Sequence, residues 1–219
     1  MKSFAGYEDV KVQNVGKYEK LELGGHVCKI LGVSIDKFNG KGGKEYERLI
    51  LKIDIAEPDA QAGFYQRKFD EDIKNDKTNN TSTAKWRGYF RLNIPTDDSA
   101  DYTKSAFKTF TTSVERSNPG YKWTWEEETL AGKLFGGVFA LKEFINDKGL
   151  VITFTECRFA RSVDGIEEAQ IPKVKLVDGT YVDYDDYMEQ KEEKDESLGK
   201  ALEEKGTVED DDRTSILVM

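Results

Sequence analysis

Lys85-Trp86-Arg87-Gly88-Tyr89-Phe90-Arg91-Leu92-Asn93-Ile94 is the stretch from which the rest of the chain can be read. In an extended strand successive side chains point to opposite faces. Lys85, Arg87, Tyr89 and Arg91 then share one face, and Trp86, Gly88, Phe90, Leu92 and Ile94 the other. The second set is a core face. The first sets three cations around a tyrosine. That is the chemistry with which a sheet lies along a single-stranded polyanion: cations meet phosphates and the ring offers a surface to a base. The solvated outer face of a one-sided sheet alternates in the same way, so the flanking sequence has to decide.

Upstream, Val27, Leu31, Val33 and Ile35 share one parity of a strand pattern over 26–38. The glycine-rich run Asn39-Gly40-Lys41-Gly42-Gly43-Lys44 reads as a hairpin connection. A second strand over 45–57 sets Leu49, Leu51, Ile53 and Ile55 on one face, and Tyr46, Arg48, Ile50 and Lys52 on the other. Residues 58–84 read as a long loop in which Phe64, Tyr65 and Phe69 alternate with Arg67 and Lys68. Loops of that length are usually functional or disordered.

Downstream, Ala106, Phe107, Phe110 and Val114 recur at helical spacing, with Asp101 or Thr103 as the cap and Asn118-Pro119-Gly120 as the stop. Thr124-Trp125-Glu126-Glu127 has the form of a capping box. Two strands over 133–145 and 150–161 are joined by the turn Asn146-Asp147-Lys148-Gly149, and a small ribbon is expected around Asp178-Gly179. The order is three strands, a helix, two strands. It predicts a mainly β chain of the OB-fold type, a five-stranded Greek-key barrel with one helix between strands 3 and 4. Such a barrel uses the face of strands 2 and 3 and the loops 1–2 and 4–5 to hold oligonucleotides or oligosaccharides. The expected domains are an arm (1–23), the barrel (24–180) and an acidic tail (181–219), disordered or loosely helical.

The net charge of -9 in 219 residues is not spread evenly. Residues 181–219 hold fourteen Asp/Glu against five Lys/Arg, whereas residues 1–180 hold 28 of each. A neutral body is compatible with a basic face. Cys28 and Cys157 have neither metal-ligand spacing nor companions. The start of the chain lacks an apolar signal region and no run of 18 apolar residues occurs, so a cytoplasmic protein without membrane association is expected.

His26 is the one histidine, expected at a turn or edge, which leaves out histidine triads. The Gly/Lys hairpin lacks phosphate-loop spacing. Asp183, Asp185, Asp186 and Glu189 lack the EF-hand order. No catalytic residue, metal or cofactor is expected.

Residues 24–165 resemble the OB-fold single-stranded-DNA-binding proteins of bacteria and phages, and the acidic tail closed by apolar residues adds to the likeness. Gly24-Gly25-His26-Val27-Cys28-Lys29-Ile30 and Asp54-Ile55-Ala56-Glu57 are also similar to stretches in uncharacterised proteins of phages and mobile elements of Gram-positive bacteria. The resemblance implies a non-catalytic protein that protects single-stranded DNA in replication and recombination. It also implies a tail tip, here Asp210, Asp211, Asp212 and Ile216, Leu217, Val218, Met219, that recruits replication and recombination proteins. The bacterial terminal Pro-Phe is missing, so the partner is not carried over.

On this reading Lys41, Lys44, Arg48, Lys52, Arg67, Lys68, Lys85, Arg87 and Arg91 meet phosphates, and Tyr46, Tyr65 and Tyr89 stack on bases. Trp123 and Trp125 are core residues or a second stacking platform. A homo-oligomer is left open. The rival expectations are a protein-interaction module on a β-barrel scaffold and an oligosaccharide-binding barrel, which hardly needs so many cations.

Overall fold

A computed structural model describes residues 19–40, 43–75 and 84–193. The chain is mainly β. The elements are β1 (Gly24–Asn39), β2 (Glu45–Ile55), α1 (Phe64–Asn75), β3 (Tyr89–Asn93), α2 (Asp101–Ser117), β4 (Leu134–Ile145), β5 (Val151–Arg161), β6 (Val174–Lys175) and β7 (Tyr181–Val182). A third helix, α3, covers residues 184–193. Among the described residues no helix is long and apolar enough to cross a membrane.

The seven strands form one sheet. Its path runs β3-β2-β1-β4-β6-β7, and β5 lies on the remaining edge of β4. β1 is long enough to serve two neighbours: residues 24–29 pair with β4 and residues 28–39 with β2, so Cys28 and Lys29 lie between both. The expected closed barrel of five strands is corrected on both counts. There are seven strands, and among the described residues no ladder joins β3 to β5. β3 has only five residues, and a cavity of about 1000 Å³ opens between it and β5, walled by Phe90, Leu92, Phe159 and Ala160.

The core lies where β1, β2, β3 and β4 meet α2. Phe90, Phe110 and Phe135 pack with all three centroid separations at 5.8 Å, a spacing at which aromatic pairs attract beyond their area burial. Leu49, Leu51, Ile53 and Ile55 are buried on the inner face of β2, as its alternation predicts. Asn118 joins α2 to β4: its side-chain nitrogen donates to the carbonyls of Val114 and Leu134, and its oxygen accepts from the Leu134 amide.

Four local expectations change. In β1 a bulge between Ile30 and Gly32 inserts one residue and switches faces. Ahead of it Cys28 and Ile30 face the core; Leu31, at the bulge, is exposed; beyond it Val33 and Ile35 take the inner side opposite Leu51 and Leu49, with Ile35 exposed toward the hairpin end. The segment 58–84 contains the helix α1. The strand expected over 85–94 shortens to β3. Neither expected side-chain cap forms: Ala100 stands at the α2 N-cap and Glu126 at that of the 3-10 turn Glu127–Leu130. The folded body also continues past residue 180. Tyr187 of α3 is buried, its hydroxyl 3.0 Å from Thr153 and donating to Glu143 at 2.9 Å. The expected tail tip, 210–219, lies outside the described residues, as does Lys41.

Candidate nucleic-acid interface

The β1–β2–β3 meander builds an exposed face from its register. Directly opposed residues of antiparallel strands share a face. Phe38 lies opposite Tyr46, Asp36 opposite Arg48, Ser34 opposite Ile50 and Gly32 opposite Lys52. On the far side of β2, Arg48 meets Asn93, Ile50 meets Arg91 and Lys52 meets Tyr89. Tyr46, Arg48, Lys52, Tyr89 and Arg91 thus stand together, over about 20 Å of strand.

These side chains are ordered by one another. The Phe38 and Tyr46 rings stack at 5.7 Å and 26°. The Arg48 guanidinium lies 4.6 Å from the Phe38 centroid and donates to Asp36 at 3.1 Å, while its buried Nε has no partner. Arg91 covers the Tyr89 ring at 5.0 Å, and Lys52 Nζ is 4.2 Å from the Trp86 ring. Among the described residues neither Lys52 nor Arg91 has a carboxylate partner; both rest on aromatic faces instead. Lys44, at the hairpin end, is 3.6 Å from Asp98 and 5.8 Å from the Tyr46 ring.

The remaining cations of the expected site sit elsewhere. Arg67 binds Glu19 at 2.7 Å and donates to the Ala62 carbonyl; its hydrogen bond holds the Glu19 carboxyl below the ordinary range. Arg87 pairs with Asp72 at 2.7 Å. Lys85 is exposed.

Two residues are corrected outright. Tyr65 is buried, and desolvation pushes its hydroxyl far above the ordinary phenol range, so it is a core residue and not a stacking platform. Lys68 is also buried, against Phe64 and 2.9 Å from Glu71. The reason is α1 itself, which turns positions 64, 65 and 68 toward the sheet at helical spacing.

Trp86 links the two groups. It was expected on the core face of a strand, but residues 84–88 are irregular. Its indole donates to the Gly88 carbonyl at 2.9 Å and packs against Phe69, with Lys52 on the ring. Gly88 is fixed by crowding: a Cβ there would lie 2.3 Å from the Ile53 carbonyl oxygen and 2.5 Å from the Tyr65 ring. Beyond Arg87 a groove of about 1130 Å³ opens between α1, the β4–β5 hairpin and α3. Leu21, Phe64, Leu141, Phe154 and Met188 are on its walls.

Other reactive groups are committed to the fold. His26 is a buried strand residue rather than a turn or edge one, with Nδ1 3.0 Å from Asp59 and Nε2 3.1 Å from the Glu22 carbonyl. Cys28 and Cys157 are free thiols, and burial pushes both up. They lie on β1 and β5, two strand spacings apart across β4, which is beyond the reach of a disulfide. Among the described residues no group of three His, Cys, Asp or Glu side chains is placed to hold a metal. Trp125 is exposed, stacked on Phe107 at 5.6 Å and 14°.

Phe38, Asp36 and the Trp86–Lys52 contact were missed from the sequence. Counting outward from the hairpin midpoint pairs Phe38 with Tyr46 and Asp36 with Arg48, so the first two had a usable signal. The Trp86 contact depends on the irregular 84–88 backbone and had none. Compared with protein-family models and with curated proteins, the chain gives no match.

Proposed function

We propose that this chain is a non-catalytic single-stranded-DNA-binding protein of OB type, from a phage or mobile element. On this reading it protects DNA in replication and recombination, and its 210–219 segment recruits partner proteins. The observation that carries the reading is the shared face of β1–β2–β3, where Tyr46, Arg48, Lys52, Tyr89 and Arg91 stand in register with Phe38. Rings locked by stacking or by an overlying cation are pre-organised for bases. Lys52 and Arg91, without carboxylate partners among the described residues, are available to phosphates at little cost in broken ion pairs. The strand order β3-β2-β1-β4-β5, with α2 between β3 and β4, supports the OB architecture.

The test is fluorescence-anisotropy titration of labelled oligo-dT with the full chain over a range of salt. Log affinity should fall by about 0.7 per log unit of salt for each phosphate neutralised. Tyr89→Ala should cost roughly 1–3 kcal/mol, the worth of one stacked base, and Arg91→Ala should flatten the salt slope. Absence of binding at low salt overturns the proposal. It would favour the interaction-module reading, which draws on the Arg48–Asp36 and Lys44–Asp98 pairs because they lower the positive potential of the face.

A further inference from the structure

The β1–β2–β3 face has a neighbour that the proposed DNA site leaves unused. Across the open edge of β3 lies β5, and Phe90 and Leu92 of one strand line the same cavity of about 1000 Å³ as Phe159 and Arg161 of the other. Strand parity decides which side chains look outward. On β3, Phe90 is buried and Leu92 packs on the core, so Tyr89 and Arg91 take the outer side. On β5, a bulge between the pairs Val138–Phe159 and Phe139–Cys157 accommodates Arg158. Cys157 and Ala160 belong to the core, while Phe159 is 53% exposed and Arg161 is exposed. The outer faces of the two strands therefore adjoin across the seam.

The chemistry of the face is repeated there. Phe159 and Arg161 are two residues apart on one side of a strand, about 7 Å. An open ring next to a cation is what a single strand needs for one base and one phosphate. Among the described residues Arg161 has no carboxylate partner, as is true of Lys52 and Arg91 on the face. Arg158 is committed to the fold, donating to the Leu141 and Lys173 carbonyls and to Glu156. Two acids are on the described walls of the cavity. Asp183 is paired with Lys173 at 3.0 Å, and Glu168 lies beyond β5, where its charge repels a polyanion and bounds the path.

We infer that a single strand of DNA bound on the β1–β2–β3 face continues across the β3–β5 seam, where Phe159 stacks on a further base and Arg161 meets a further phosphate. The inference rests on the DNA reading and lengthens its site.

Anisotropy titrations of the full chain with labelled oligo-dT of about 4 and about 16 nucleotides, the ends of the range that one such barrel occupies, test it. The wild type should bind the longer oligomer more tightly. Phe159→Ala should weaken the longer one roughly 5- to 150-fold, the worth of one stacked base, and leave the shorter one unchanged. Arg161→Ala should lower the salt slope for the longer oligomer by about 0.7, and it decides should Phe159→Ala fail to fold. Tyr89→Ala should weaken both lengths. If Tyr89→Ala does so while folded Phe159→Ala and Arg161→Ala bind both lengths as the wild type does, the DNA reading stands and the inference falls. Equal losses on both lengths in Phe159→Ala also overturn it, since the ring would then belong to the first site. A wild type that binds neither length at low salt overturns the DNA reading and this inference with it.

Discussion

Arg48 shows how a single residue of the β1–β2–β3 face is held between structure and binding. Its guanidinium lies on Phe38, is tethered to Asp36 and keeps one buried donor unmatched. For a phosphate to take Arg48, Asp36 must let go. Asp36→Asn removes the competing charge and keeps the side-chain shape. Affinity for oligo-dT should rise, and the salt slope should steepen by about 0.7, one extra phosphate contact. Stability should change by less than about 1 kcal/mol, because the pair is partly exposed and surface ion pairs contribute little. Anisotropy titrations at several salt concentrations check the first point and urea melts the second. Weaker binding by Asp36→Asn would mean that the pair positions Arg48 rather than restraining it. Tyr46, Arg48, Lys52, Tyr89 and Arg91 were legible because strand parity is a local property. Their neighbour Asp36 was not weighed, because its effect depends on the cross-strand register.

Among the elements, α1 is the one the residue pattern concealed, and Asp54 is what holds it. This buried carboxylate at the end of β2 accepts from the backbone amides of Ile55, Tyr65 and Gln66 at 2.9, 2.8 and 3.2 Å. Two of those amides belong to the first turn of α1, where donors lack intrahelical partners. Asp54 therefore caps a helix ten residues away across a turn. Asp54→Ala should cost about 2 kcal/mol or more, since it leaves buried amides unsatisfied as well as losing a cap. Asp54→Asn, which retains an acceptor, should cost less. Chemical denaturation measures both, and equal costs would point to lost charge rather than lost hydrogen bonds. The helix had a trace in the sequence, since Tyr65, Phe69 and Ile73 recur every four residues. Interleaved cations and the absence of a local capping residue hid it, because the cap comes from another element. The β1 bulge was hidden for a related reason. One inserted residue at Leu31 reverses every later face, and only the pairing with β2 reveals it. The β4–β5 hairpin, with its local turn, and α2, with its helical periodicity, were read nearly to their ends.

For the whole molecule the deciding quantity is where the charge lies. Residues 1–180 are balanced and the net -9 is carried by 181–219. The described body ends on α3 at residue 193. Asp210 follows 17 residues later, a chain length that spans at most about 60 Å. If the face binds DNA as proposed, a tethered anion cluster competes with it for Lys52 and Arg91 by simple Coulomb attraction. The competition is screened beyond about 8–10 Å at physiological salt but reaches about 30 Å in 10 mM salt. The combined substitution Asp210→Asn, Asp211→Asn and Asp212→Asn in the full chain should therefore tighten oligo-dT binding at low salt and leave it nearly unchanged at physiological salt. Anisotropy titrations of both chains across that range read the difference directly. A gain that converges with rising salt identifies long-range competition for the face. Equal affinities at low salt would show that the acidic run does not compete there, leaving partner recruitment as its only assigned role. A gain that persists at high salt would instead require close contact between the 210–212 carboxylates and the body.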